Sequence, residues 1–138
     1  MISVRYKLKK TAVLLICFLI LCWGVTLIHI EYLTAVHGEE FKQVVNNTCR
    51  IGDENFEGYY KILEYRPLKY ARVYCVVKNQ ELDINYACEL LITGYEGHHQ
   101  VALNDTIWSR HGTADGVIWP YWWHFVYSHT ILAIGRRF

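Results

Sequence analysis

The run Thr11–Ile30, TAVLLICFLILCWGVTLIHI, constrains this chain more than any other feature, because it holds no Asp, Glu, Lys or Arg. A helix of about 20 residues, at about 1.5 Å rise per residue, reaches about 30 Å, the thickness of a bilayer's hydrocarbon core. The run is apolar all round, whereas a buried soluble helix usually keeps a polar face. His29 stands near its far end, Trp23 lies inside it, and Tyr32 follows just beyond, where an interfacial ring is favoured.

The flanks differ in charge. Arg5, Lys7, Lys9 and Lys10 precede the run; Glu31, Glu39 and Glu40 follow it, and the next lysine is Lys42. Excess Lys and Arg stay on the cytosolic side, which predicts a type II arrangement with the C-terminus outside. The expected location is the Golgi, another secretory compartment or the cell surface. The rival reading is a cleaved signal peptide. Its apolar region is normally about 7–15 residues, shorter than this one, and residues 33–38 offer a mediocre cleavage site.

These boundaries divide the chain into a basic cytosolic tail (1–10), a transmembrane helix (11–30), a stem or helical continuation (31–48) and a β-rich lumenal domain (49–138), complete or incomplete. The chain has 138 residues and a formal net charge of +1. About 100 residues beyond the span suffice for one small domain. The predicted fold class is one N-terminal transmembrane helix followed by a small β-rich domain, α+β or mainly β, in a lumenal or extracellular compartment. Basic residues cluster only in the tail, so no nucleic-acid footprint is present. The lipid bilayer is the one partner the composition itself specifies.

Two glycosylation sequons fall on the outer side, at Asn46 and Asn104. Two of the five cysteines, Cys17 and Cys22, lie in the span and read as small apolar residues. Cys49, Cys75 and Cys88 lie outside, where disulfides can form, and an odd count leaves one over. Residues 49–56 read as loop. Tyr70–Val77 is rich in β-branched and aromatic residues and reads as a strand; residues 78–81 form a polar turn; Ile84–Ile92 reads as a second strand. Alternation places Val73, Cys75 and Val77 on one face, and Tyr86, Cys88, Leu90 and Ile92 on one face. If the strands pair, Cys75 and Cys88 point into the same core, either as a disulfide or as two buried thiols. Residues 100–108 offer a further strand.

No complete catalytic motif is present. His98, His99 and His111 invite a metal, but adjacent histidines on a strand face opposite sides and no Cys or carboxylate completes a ligand set. Asp115 with His111 or His124 suggests an acid–base pair without an accompanying nucleophile motif. There is no Gly-rich phosphate loop and no D-x-D, so no cofactor is expected. Trp119, Tyr121, Trp122 and Trp123 read as core, as a binding surface for a protein or glycan, or as a bilayer contact. A second span in this region is disfavoured, because Pro120, His124, Ser128 and His129 interrupt it.

One resemblance follows from the strand Arg72-Val73-Tyr74-Cys75, then Ala87-Cys88-Glu89-Leu90, then Glu96-Gly97-His98-His99 with its apolar sequel. Residues 71–110 resemble the early lumenal part of family 92 glycosyltransferases, which are also type II membrane proteins. The resemblance implies a β-rich portion ahead of a transferase domain. It carries over no catalytic residue, because the acidic metal motif of that domain has no counterpart here. Three functions are therefore expected in order: a membrane glycoprotein whose non-catalytic outer domain binds a partner or glycan, a truncated or diverged relative of those transferases, and an accessory subunit of a membrane complex.

Overall fold

The computed structural model describes residues 2–51, 53, 55–79, 81–82, 84–94, 98–110, 116 and 118–121, with side chains from residue 9 onward. A single helix, α1 (Ile2–Cys49), spans 48 residues and includes both the apolar run and the segment 31–48. At 1.5 Å per residue it is about 72 Å long. The stem is thus a helical continuation. It also packs on the sheet, because Leu33, Phe41, Val45 and Cys49 recur at helical spacing and are buried against it.

The first half of α1 behaves differently. Leu14, Leu21 and Ile28 are 70 %, 65 % and 72 % exposed. An apolar cylinder of this length without protein cover is suited to lipid, and it is the one described helix long and apolar enough to cross a membrane.

The sheet has four antiparallel strands in the order β1-β2-β3-β4: β1 (Glu57–Arg66), β2 (Tyr70–Asn79), β3 (Ile84–Thr93) and β4 (Gln100–Ser109). The alternation read from sequence holds. Ala71, Val73, Cys75 and Val77 of β2, with Cys88, Leu90 and Ile92 of β3, face α1 and form the main core. Strand β1, EGYYKILEYR, has no counterpart in the sequence reading. Its register shifts between Ile62 and Glu64, and the resulting bulge breaks the two-residue period that would reveal a strand.

That bulge is where the helix is locked to the sheet. The Ile62 backbone N–H donates to Thr34 Oγ1 at 2.9 Å, and the same hydroxyl donates to the Ile30 carbonyl at 2.8 Å. Both capacities of the hydroxyl are used, and a sheet N–H beside the fully buried Ile62 side chain is satisfied. Close by, Tyr60 Oη donates to the Gly38 carbonyl at 2.9 Å and Lys61 pairs with Glu31 at 2.6 Å.

The second face of the sheet packs under residues 118–121. Tyr121 stacks on Tyr74 with ring centroids 4.6 Å apart and planes 5° from parallel. Ile30, Val76, Ala87 and Ile118 complete this smaller core. Trp23, well inside the apolar run, donates its indole N–H to the Pro120 carbonyl at 3.1 Å. The outer domain therefore reaches back along the helix into the segment assigned to the membrane. Of the C-terminal stretch considered for a second span, residues 122–138 lie outside the described residues.

At the turn after β3, Gly94 has φ +122°, and a Cβ there would meet the His98 carbonyl oxygen at 2.3 Å. The chain can double back here only with glycine.

Replacing Thr34 with Val should leave the Ile62 N–H without an acceptor and cost about 1–3 kcal/mol. Thr34→Ser should recover most of that loss. Denaturant unfolding of the full chain in micelles, followed by near-ultraviolet circular dichroism, separates the two. Phe41→Ala should cost about 3–5 kcal/mol in the same measurement.

Candidate functional site: a buried cluster of three thiols

Three cysteines from three different elements meet in the main core. Cys75 and Cys88 are direct cross-strand partners on β2 and β3. Cys49 is the last residue of α1 and completes the cluster. The three sulfur atoms all lie within 4.8 Å of one another, and Cys49 Sγ stands 3.8 Å from Cys88 Sγ. Each residue is at most 1 % exposed.

Local sequence explains the placement. Phe41, Val45 and Cys49 are one helical repeat apart, so the stripe that docks α1 also aims Cys49 at the sheet. The helix then stops. Arg50 takes a left-handed conformation, φ 58°, as residues just past helix ends often do. Its guanidinium holds Asp53 at 3.2 Å and lies over the Phe56 ring, 5.1 Å from the centroid. The loop is thereby turned away to the start of β1, and Cys49 remains under it.

The disulfide considered between Cys75 and Cys88 is not formed: both are free thiols, as is Cys49. Cys88 is in contact with Cys49 as well as facing Cys75, so the group is a three-way contact rather than an isolated pair. Cys49 was legible only as a residue left over, because its approach depends on how α1 packs.

The thiols also differ electrostatically. The neighbouring groups of Cys75 and then Cys88 pull the Cys49 thiol well below its ordinary range, against the effect of burial. Contact with Cys49 pushes both Cys75 and Cys88 up.

The other candidate residues scatter. Asn46 sits in the last turns of α1, half-buried, and Asn104 is exposed on β4, so neither sequon occupies a loop. Trp119 is 54 % exposed, while Tyr121 is buried against Tyr74, so they do not form one surface. Trp122 and Trp123 lie outside the described residues, as do His111, Asp115 and His124.

His98 and His99 part as expected of neighbours: His98 is exposed, and His99 turns inward. His99 Nε2 lies 3.2 Å from Glu40 Oε1 and its ring packs on Phe41 at 4.8 Å. His37, which the sequence did not single out, reaches the other Glu40 oxygen at 3.8 Å and stacks on Tyr65 at 3.9 Å. Glu40 and His99 of this row line a groove with Arg66, Leu68 and Tyr70. Among the described residues no Ser, Thr or Cys lines it, so it holds an oriented imidazole without a nucleophile to activate.

Comparison with family models, with curated proteins and with solved structures gives no match. The resemblance of residues 71–110 to family 92 glycosyltransferases therefore rests on its own short motifs.

In the folded protein, Cys49, Cys75 and Cys88 should resist a maleimide mass tag, and all three should take it once the chain is denatured. Counting tags on a Cys17→Ser/Cys22→Ser background checks this directly. Rapid tagging of all three in the native state would contradict the burial.

Proposed function

We propose that the chain is a single-pass type II membrane protein whose outer domain is a non-catalytic binding module for a protein or glycan partner, held close against the bilayer. One observation carries the reading. The helix that fills the apolar run also supplies the core of the outer domain, and the bond from Trp23 to Pro120 ties that domain to the run itself. A domain built this way is anchored without a flexible linker. Its exposed Trp119 stands beside Thr26 of the helix, the indole 3.5 Å from the hydroxyl. An indole at this level suits the headgroup region or a partner lying there.

The charge asymmetry across Thr11–Ile30 supports the outward direction of the domain. It favours the Golgi, another secretory compartment or the cell surface. The absence of a nucleophile–base pair among the described residues of the groove favours binding over catalysis. Strand β4 adds a second consideration. It is a sheet edge, and residues 102–106 along it are exposed. An edge strand offers backbone donors and acceptors for strand addition.

Epitope tags at the two ends test the orientation. In sealed vesicles with the cytosolic face outward, protease should remove the N-terminal tag and spare the C-terminal one. The reverse pattern would sink the type II assignment. For the binding role, crosslinking in intact membranes should capture a partner. Replacing Trp119, Trp122 and Trp123 together with Ala should reduce that capture at least about tenfold, the equivalent of one well-packed aromatic contact. Unchanged capture by a normally folded variant would remove these residues from the binding surface.

A further inference from the structure

Cys49, Cys75 and Cys88 are more than three buried cysteines, because their sulfurs lie close enough together, all within 4.8 Å, to converge on one ion. An ion about 2.3 Å from each of three sulfurs requires sulfurs about 3.8–4.0 Å apart, whether the angles are tetrahedral or trigonal. The Cys49–Cys88 separation of 3.8 Å meets this, and the third sulfur lies within 4.8 Å of both. A disulfide would need one pair to close to about 2.05 Å, leaving the third thiol stranded in an apolar core.

We propose that these three cysteines form a binding site for a single soft, thiophilic metal ion of the Cu(I) class. Ligand type gives the softness, since thiolates select Cu(I), zinc and iron–sulfur centres over hard cations. Ligand number narrows the choice. Among the described residues no His or carboxylate joins the cluster, whereas structural zinc almost always takes four ligands. Cu(I) is content with three. Charge points the same way, for the sulfurs sit in an apolar core that includes Val45, Val73, Val77, Leu90 and Ile92. A monovalent ion is balanced by one thiolate, and each further sulfur that loses its proton adds one buried negative charge. Binding moves no electron. Each sulfur that becomes a thiolate releases its proton to solvent as the metal–sulfur bond forms.

The site is preformed, and it is closed. Cys49 ends the helix, and Arg50 turns the chain away directly after it. The three ligands come from α1, β2 and β3. A bound ion would therefore join the membrane helix to two central strands, and binding would stabilise the fold by mass action. This inference stands apart from the partner-binding role and survives its failure.

The test uses the full chain in detergent micelles on a Cys17→Ser/Cys22→Ser background, which leaves the three ligands as the sole thiols. Anaerobic Cu(I), supplied from a chromophoric chelator under reducing conditions, should transfer with one equivalent per chain. It should also raise the unfolding temperature. X-ray absorption at the copper edge should show a shell of three sulfurs with no nitrogen or oxygen neighbour. Loss of a partner outside the coordination shell weakens a metal site about 10–100-fold, so Cys49→Ser, Cys75→Ser and Cys88→Ser should each weaken uptake by at least that much. The absorption measurement needs only the unaltered ligands, so it decides the matter even if a variant fails to fold. No transfer to fully reduced protein would overturn the proposal. So would a shell containing fewer than three sulfurs, or tighter uptake of Zn(II) than of Cu(I).

Discussion

The structure depends on the seam between the second half of α1 and strand β1. A helix laid on a sheet gains most from apolar burial, and Phe41, Val45 and Cys49 supply that against Ile62, Val73 and Val77. Burial alone does not fix the position of the helix along the sheet. The hydrogen bond from the Ile62 N–H to Thr34 does, because it exists at one setting only. The bulge in β1 would otherwise bury an unsatisfied donor. Sheet irregularity and helix hydroxyl are thus two halves of one feature. From that fixed point, Cys49 falls beneath the end of α1, and Ile30 and Trp23 fall beside residues 118–121.

Much of this was legible in the sequence, and the limits have physical causes. The apolar run announced itself through the absence of charge. Strands β2 and β3 were legible because both are central: their alternation is enforced by burial on one face, and it placed Cys75 and Cys88 on a common side. Strand β1 was hidden, since it is an edge with a bulge and mostly exposed or half-buried side chains. The fourth strand, also an edge, was placed over residues 100–108 and runs through Ser109. The segment 31–48 was legible as a stem or a helical continuation, with no hint of what it would pack against. The partners of Cys49 and His37 were hidden for the same reason. Each becomes interesting through a neighbour distant in sequence, Cys88 in one case and Tyr65 in the other.

The two chemically rich places in the domain lie on the same helix and differ in character. The thiol cluster is buried in the main core, where its three sulfurs meet one another. The His37–Glu40–His99 row borders an open groove through Glu40 and His99, and holds its rings by stacking and by a shared carboxylate. A closed, soft site suits an ion that is retained. An open, polar groove suits a ligand that comes and goes.

The unbroken length of α1 has a mechanical consequence. Helix and outer domain share one core, with Trp23 tied to Pro120 below and Thr34 tied to Ile62 above. Among the described residues no break in the helix separates the apolar run from the part that packs on the sheet. A turn of the shaft about its axis therefore swings the sheet with it, and a push on the sheet tilts the shaft. With the apolar run in a bilayer, a grip on the sheet would apply torque to the helix, as on a crank.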